Sequence, residues 1–253
     1  MRFFGSFILI CVLSAVLNAQ VKTSAIPPVK RPFAASLQAV VVMTKDWTAT
    51  QGLARTFERS SPRSKWKPVG SEFPIVIGRR GLAWSPDSAS ENSAVFKKEG
   101  DGKSPAGLFP LTFAFGSEAN GAKLKLPYTE IVEFTECVDD AASFHYNTVV
   151  GRQQVGIFDW KSSEKMIEIK PEYDMGVFVA YNSYPVVRGN GSCIFLHIWK
   201  DAGSPTSGCT AMEQENLAKI TRWLDPKKTP YLIQLPENAY SKYQKSWKLP
   251  KLK

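Results

Sequence analysis

The chain has 253 residues, of which 43% are hydrophobic and 12% aromatic. This length and composition are sufficient for a buried core in one or two domains, and they exclude wholesale disorder. Lysine and arginine outnumber aspartate and glutamate by 32 to 23, so the formal net charge is +9 at pH 7. A charge of this sign favours anionic partners.

The first nineteen residues have the pattern of a secretory signal peptide. Arg2 supplies the positive charge, residues 7–16 are apolar, and Ala19 is the expected cleavage point. The apolar stretch is too short to remain as a membrane span. We therefore predict a signal peptide over 1–19, export to the periplasm or cell envelope, and no stable membrane span. Loss of Arg2 takes the net charge from +9 to +8, which suits anionic cell-wall polymers. No spacing of a nucleic-acid-binding motif is present, so no nucleic-acid partner is expected.

Residues 20–36, rich in proline and in small or basic residues, predict a linker. From residue 37 onward, short β-branched and aromatic runs alternate with glycine, proline and serine, which predicts an all-β sandwich or barrel over 37–237. The basic residues of 238–253 predict a solvated tail or a segment that contacts the cell wall or a membrane surface. The expected strands are 37–43, 53–59, 66–70, 73–78, 130–138, 175–182, 192–199 and 231–236. Residues 78–84 are expected to form a turn that leads into a strand, and residues 102–111 a glycine–proline loop that opens into another.

One strand carries one of the two histidines of the chain. Alternation along 192–199 directs Ile194, Leu196 and Ile198 towards the core and places His197 on the opposite face, beside aromatic residues. A cleft on that face would make His197 a candidate base, with the carbonyl of Ile198 holding its second ring nitrogen. A purely structural histidine is the alternative.

A cysteine follows twelve residues later. Thr210 and Glu213 have the spacing of a capping box, which predicts a helix over 212–224. A helix start directly after Cys209 would lower the pKa of its thiol, and the amides around Gly208 and Cys209 would bind an oxyanion. Cys209 and His197 are thus candidates for a nucleophile and its base.

Two other roles compete for the cysteines. Cys193, His197 and Cys209 could be zinc ligands, but residues 193 and 197 lie about 13 Å apart on a strand, too far for one ion. We therefore expect no metal and no cofactor. After loss of the signal peptide three cysteines remain. Cys137 and Cys193 are candidates for a disulfide that would leave Cys209 free.

The segment "FLHIWKDAGSPTSGCTAM" resembles the active-site segment of the L,D-transpeptidase (YkuD-type) catalytic domain, and "DGKSPAGLFPL" resembles a strand upstream in that family. The resemblance implies a mainly β, sandwich- or barrel-like domain with a helix directly after the catalytic cysteine. It also implies a cysteine acyltransferase with Cys209 as nucleophile, His197 as base and the backbone of Ser207 and Gly208 at the oxyanion site. Peptidoglycan stem peptides are the implied partners.

The motif departs from the family pattern at two positions. Ser207 replaces a second histidine, and Ala211 stands where an arginine is common. These departures suggest a divergent subgroup. Lys200 and Arg188 are candidates for the missing positive charge, and Trp199 for a cleft wall. The alternatives to L,D-transpeptidation are L,D-carboxypeptidation, in which water is the acceptor, and a non-catalytic wall-binding module of the same fold.

Overall fold

The computed structural model describes residues 33–86, 88, 95–117 and 123–252. The signal peptide predicted over 1–19 and residues 20–32 of the predicted linker lie outside these residues. The strands are β1 (Gln38–Thr44), β2 (Gln51–Glu58), β3 (Lys67–Val76), β4 (Leu82–Trp84), β5 (Ser104–Gly116), β6 (Tyr128–Glu130), β7 (Thr135–Val138), β8 (Val149–Gly151), β9 (Ser163–Lys165), β10 (Met175–Val179), β11 (Phe195–Ile198), β12 (Thr210–Met212) and β13 (Tyr231–Pro236).

Ten of these strands form one sheet that closes on itself. The strand order is β10-β11-β12-β3-β2-β1-β13-β5, and β5 pairs back with β10, while β4 and β6 flank β5. Strands β8-β7-β9 form a separate three-stranded sheet. The mainly β fold expected from the sequence is confirmed, and closure leaves few strand edges exposed.

Two α-helices, α1 (Gln214–Trp223) and α2 (Glu237–Tyr243), accompany the sheets. Neither of these, nor any other helix in the described part of the chain, is long and apolar enough to cross a membrane. Single 3-10 turns lie at Phe33–Ala35, Arg152–Gln154, Met166–Glu168 and Pro226–Lys228.

Strand β11 separates two hydrophobic clusters, as its alternation predicts. Ile194, Leu196 and Ile198 belong to the main cluster, which also contains side chains of α1 and α2. Phe195, on the opposite face of the strand, lies in a second cluster together with Cys209. The burial of both faces explains why β11 is apolar on both sides rather than alternating between apolar and polar residues.

The structure corrects the prediction of a continuous strand over 130–138. A turn at residues 133–134 divides this run between β6, which pairs with β5, and β7, the central strand of the small sheet. β-Branched and aromatic residues on both sides of the turn hide the break in the sequence, because no glycine or proline marks it.

The basic tail is not a solvated end. Residues 237–243 form α2, and Leu249 beyond it is only 3% exposed. The Tyr240 hydroxyl donates to the carbonyl of Pro250 at 2.7 Å, and the Trp247 ring packs against Trp84. Tyr240, Trp247 and Leu249 form an apolar face between the lysines of this segment. The overall composition of the segment does not show this face.

The end of the predicted linker also packs onto the domain. Phe33 and Ser36 are buried, and the Arg59 guanidinium donates to the carbonyls of Ala34 and Ser36 at 2.8 and 2.6 Å. Residues 33–36 are therefore part of the folded domain rather than of a free arm.

Candidate active site

Parallel pairing of β11 and β12 determines where His197 and Cys209 lie. Leu196 pairs with Thr210 and His197 with Ala211. Cys209, immediately before Thr210, therefore lies beside Phe195, whose backbone N–H donates to the Cys209 sulfur at 3.3 Å. Since side chains two residues apart on a strand share a face, Cys209 and His197 are diagonal neighbours on the face that also carries Phe195.

Hydrogen bonds hold the Cys209 backbone and sulfur on several sides. The Sγ–H donates to the carbonyl of Cys193 at 3.3 Å. The Cys209 carbonyl accepts from Ser104 Oγ at 3.0 Å and from Thr206 Oγ1 at 2.6 Å. Ser104 belongs to "DGKSPAGLFPL", so both segments that carry the family resemblance meet at this cysteine.

The helix predicted directly after Cys209 begins later than expected. Strand β12 occupies Thr210–Met212, and α1 begins at Gln214. The predicted capping box is wrong, because Thr210 Oγ1 donates to Gln234 Oε1 at 2.6 Å instead of capping the helix. Pairing with β11 and β3 has overridden the local helix-start signal.

This difference reverses the expected electrostatics of the thiol. Cys209 is only 7% exposed and lies among aromatic side chains. Burial, followed by the nearby charge of Glu164, raises its pKa well above the ordinary value. The lowered pKa expected from a helix N-terminus is therefore wrong, since that terminus lies several residues beyond the sulfur.

His197 is buried in a well-defined orientation. Its Nδ1 lies 2.7 Å from the carbonyl of Ile198, the contact expected from the sequence. A carbonyl only accepts, so Nδ1 carries the proton and Nε2 has a free lone pair. Burial lowers the His197 pKa to about 4, partly offset by this hydrogen bond and by the charge of Glu172. The imidazole is therefore neutral at physiological pH and able to accept a proton.

Tyr173 links the two candidate residues. Its ring meets that of His197 edge-on, with centroids 5.3 Å apart. It also packs in the same hydrophobic cluster as Cys209, where burial, then the charge of Glu164 and then that of the Cys209 thiolate raise the pKa of the Tyr173 hydroxyl. The same hydroxyl donates to Glu164 Oε2 at 2.7 Å. In the described part of the chain, no hydrogen bond joins His197 directly to Cys209. Sequence reasoning missed Tyr173 and Glu164, which lie in an irregular segment and on a three-residue strand without a recognisable motif.

The loop before Cys209 is built from contacts among its own residues. The Gly208 N–H donates to Thr206 Oγ1 at 3.1 Å, and Ser207 Oγ accepts from Arg79 at 2.9 Å. A Cβ added to Gly208 would lie 3.2 Å from the Lys103 carbonyl, closer than a side chain normally packs. Glycine therefore lets this loop approach the strand that carries Ser104. The oxyanion role of Ser207 and Gly208 stays a prediction.

Cys137 and Cys193 form a disulfide with their Cα atoms 6.0 Å apart. The bond joins β7 of the small sheet to the residue pair that precedes β11. Because the Cys193 carbonyl accepts from the Cys209 thiol, the disulfide fixes a direct contact of the candidate nucleophile. Cys209 is the free cysteine among the described residues.

The three candidates for substrate binding lie in two different places. Trp199 and Lys200 follow β11 and line an open pocket of about 620 Å³ against α1, together with Glu213, Lys219 and Arg222. Arg188 is exposed and lies over the ring of Phe144, 5.7 Å from its centroid. Neither arrangement brings these three side chains into contact with the Cys209 sulfur. Their substrate roles stay predictions.

No group of three or more histidine, cysteine, aspartate and glutamate side chains within the described ranges is arranged to hold a metal ion. Cys193, considered above as a zinc ligand, is engaged in the disulfide.

The model of the YkuD L,D-transpeptidase catalytic domain matches residues 48–233. The match covers more than half of the chain, so the protein belongs to this family, and the resemblance seen in the active-site segment is confirmed. The matched range includes every strand of the closed sheet from β2 to β12, as well as His197 and Cys209. Searches among curated proteins and among solved structures found no match.

Proposed function

We propose that the protein is an exported L,D-transpeptidase of peptidoglycan, with Cys209 as nucleophile and His197 as general base. The observation that carries the proposal is the placement of both residues on one face of neighbouring strands, inside the range that matches the family. The net positive charge is compatible with an anionic cell-wall substrate.

In the resting site both groups are neutral, because burial raises the pKa of Cys209 and lowers that of His197. The thiol therefore loses its proton as it attacks rather than beforehand. Nε2 of His197 accepts that proton while Cys209 Sγ forms a bond to a stem-peptide carbonyl carbon. The backbone amides at 207–209 stabilise the resulting oxyanion.

Collapse of this intermediate breaks the bond to the terminal D-amino acid, whose amine receives the proton from His197. A thioester on Cys209 remains. An acceptor amine then attacks the thioester and gives a proton to His197, which returns it to the departing sulfur. The contact between Nδ1 and Ile198 keeps the imidazole in the tautomer that both transfers require.

L,D-carboxypeptidation is the alternative outcome of the same thioester, with water in place of the amine. Incubation of the purified protein with a tetrapeptide stem distinguishes the two by mass spectrometry. We expect a crosslinked dimer with loss of the terminal D-amino acid. Free tripeptide alone would instead identify a carboxypeptidase.

The nucleophile is tested with a carbapenem and intact-mass analysis, followed by peptide mapping. We expect one covalent adduct at Cys209, and none in the Cys209→Ala variant. His197→Ala should lose most turnover while the fold is retained, as judged by circular dichroism. Full turnover in Cys209→Ala would refute the mechanism. Absence of both product and carbapenem adduct in the folded wild type would favour a non-catalytic wall-binding module.

A further inference from the structure

We propose that Glu164, acting through the hydroxyl of Tyr173, sets how strongly the thiolate of Cys209 is stabilised. Glu164 is thus a positioning residue of the site and not a group that touches substrate. Its consequence for turnover rests on the proposed function, whereas its effect on the thiol does not.

The geometry leaves Tyr173 little freedom. Its ring is buried edge-on between Phe115, Phe195 and His197, with centroid distances of 5.7, 5.3 and 5.3 Å. This packing holds the hydroxyl 2.7 Å from Glu164 Oε2, inside the hydrophobic cluster that also contains Cys209. The charge of the Cys209 thiolate acts on the hydroxyl across that cluster. The hydroxyl therefore has two anionic partners within reach once the thiol ionises.

A phenol hydroxyl has one proton to donate. While Glu164 is ionised, its carboxylate competes with the thiolate for the hydroxyl proton, and in the resting site the hydroxyl donates to Glu164. Once Glu164 is neutral, the thiolate is the stronger acceptor and the hydroxyl is free to donate to it. A charge-assisted hydrogen bond of this kind contributes roughly twice as much as a neutral one. Protonation of Glu164 therefore favours ionisation of Cys209.

The surroundings of Glu164 make this protonation accessible. The side chain is half-buried on β9, opposite the disulfide residue Cys137. Burial, followed by the charges of Asp139 and Glu99, raises its pKa to about 7, against the opposing effect of the Tyr173 hydrogen bond. Oδ1 of Asp139 is itself buried without a hydrogen-bond partner.

The cations nearby are already engaged. Lys165, next to Glu164, lies 3.9 Å from Glu168. Lys97, whose charge acts on Cys209, is buried with its ammonium 2.7 Å from Asp101.

The remaining acidic group of this network is also occupied. Glu99 accepts from Ser192 Oγ at 2.6 Å and from the Tyr146 hydroxyl. His197, which faces Tyr173 from β11, is neutral down to about pH 4, its pKa. Within the described ranges, Tyr173 is thus the polar side chain that connects Glu164 to the sulfur.

The test measures alkylation of Cys209 by iodoacetamide as a function of pH in the full chain, with the site identified by peptide mass spectrometry. It compares the wild type, Glu164→Gln, Tyr173→Phe and the double variant. A neutral amide competes weakly for the hydroxyl proton, so Glu164→Gln should accelerate alkylation at pH 8. In the Tyr173→Phe background, Glu164→Gln should change the alkylation rate only because the negative charge of Glu164 is lost. We expect the two accelerations to differ by about tenfold, the effect of one hydrogen bond to a charged group.

Glu168→Gln is the matched control, because it removes the same charge at an exposed position on the neighbouring turn. It should leave the alkylation rate unchanged. Equal acceleration by Glu164→Gln in the wild-type and Tyr173→Phe backgrounds, or none in either, would overturn the proposal. If Tyr173→Phe does not fold, the pH profile decides: the wild type must show a step near pH 7 that Glu164→Gln lacks, and a wild-type profile without that step refutes the proposal. Because alkylation needs no turnover, absence of transpeptidation would count against the proposed function alone.

Discussion

Removal of the disulfide between Cys137 and Cys193 should lower the free energy of unfolding by about 4 kcal/mol. The two cysteines are 56 positions apart in the chain. Loop-closure entropy gives about 3 kcal/mol for a 15-residue loop and about 4.7 kcal/mol for a 100-residue loop, and the value for this loop lies between them. The crosslink is also the covalent connection between the small sheet and β11.

The assay is urea denaturation of wild-type protein and of the variant with Cys137→Ala and Cys193→Ala, followed by far-UV circular dichroism. With an m-value of about 2–3 kcal/mol per molar urea, the midpoint should fall by about 1.3–2 M. Cys209→Ala is the control, since it removes a buried sulfur without removing a crosslink. A double variant within about 1 kcal/mol of the wild type would refute the loop-entropy reasoning.

The same variant tests whether the disulfide fixes the thiol. The Cys193 carbonyl accepts from Cys209 at 3.3 Å, and the Cys193 N–H donates to Asn147 at 3.0 Å. Loss of the crosslink should loosen this strand end, so Cys209 should be alkylated faster than in the wild type at the same pH. An unchanged alkylation rate would indicate that the Asn147 hydrogen bond alone holds Cys193 in place.

Two further predictions concern stability. His197 binds a proton in the unfolded chain below about pH 6.5 but in the folded chain only below about pH 4. Its neutral form therefore contributes about 3 kcal/mol to the free energy of unfolding above pH 6.5, and this contribution is lost as the pH falls to 4. The raised pKa of Glu164 changes the stability in the opposite direction over a similar pH range. The measurement is therefore the difference in unfolding free energy between wild type and His197→Gln, from urea titrations at pH 7 and pH 4. An equal difference at both pH values would contradict the lowered pKa of His197. Leu249→Ala should lower the free energy of unfolding by about 2–5 kcal/mol, because the side chain is buried against the core, whereas Lys251→Ala at an exposed position should have little effect.

Much of the fold could be predicted because its strands are local and strongly patterned. The valine run of β1 and the apolar run of β11 identify both strands, and the alternating direction of successive side chains assigns their faces. The short strands β8, β9 and β12 have three residues each, too few for a period to be visible. Their existence depends on partners distant in the sequence, as β12 depends on pairing with both β11 and β3.

The sequence was enough to nominate the candidate residues, but not to predict their electrostatics. Sequence spacing identified Cys209 and His197, and loop composition identified the segment between them. The direction of the Cys209 pKa depends on whether a strand or a helix follows it, and the capping signal at Thr210 indicated a helix. Pairing with β11 and β3 makes this segment a strand, so desolvation rather than a helix dipole sets the pKa of the Cys209 thiol.

Under the proposed function, this reversal changes what the site requires of its other residues. A thiol with a lowered pKa needs a base only to hold an ion pair, but a buried neutral thiol needs a base that accepts its proton during attack. His197 meets that requirement because burial keeps it unprotonated and Ile198 fixes its tautomer. Burial in this apolar cluster destabilises a thiolate, so hydrogen-bond donors near the sulfur must stabilise it. The Tyr173 hydroxyl lies in the same cluster and is a candidate for that donor. The acidity of Cys209 is therefore a property of the cluster around it, formed by β9, β11 and the segment before β10, rather than of the motif that contains it.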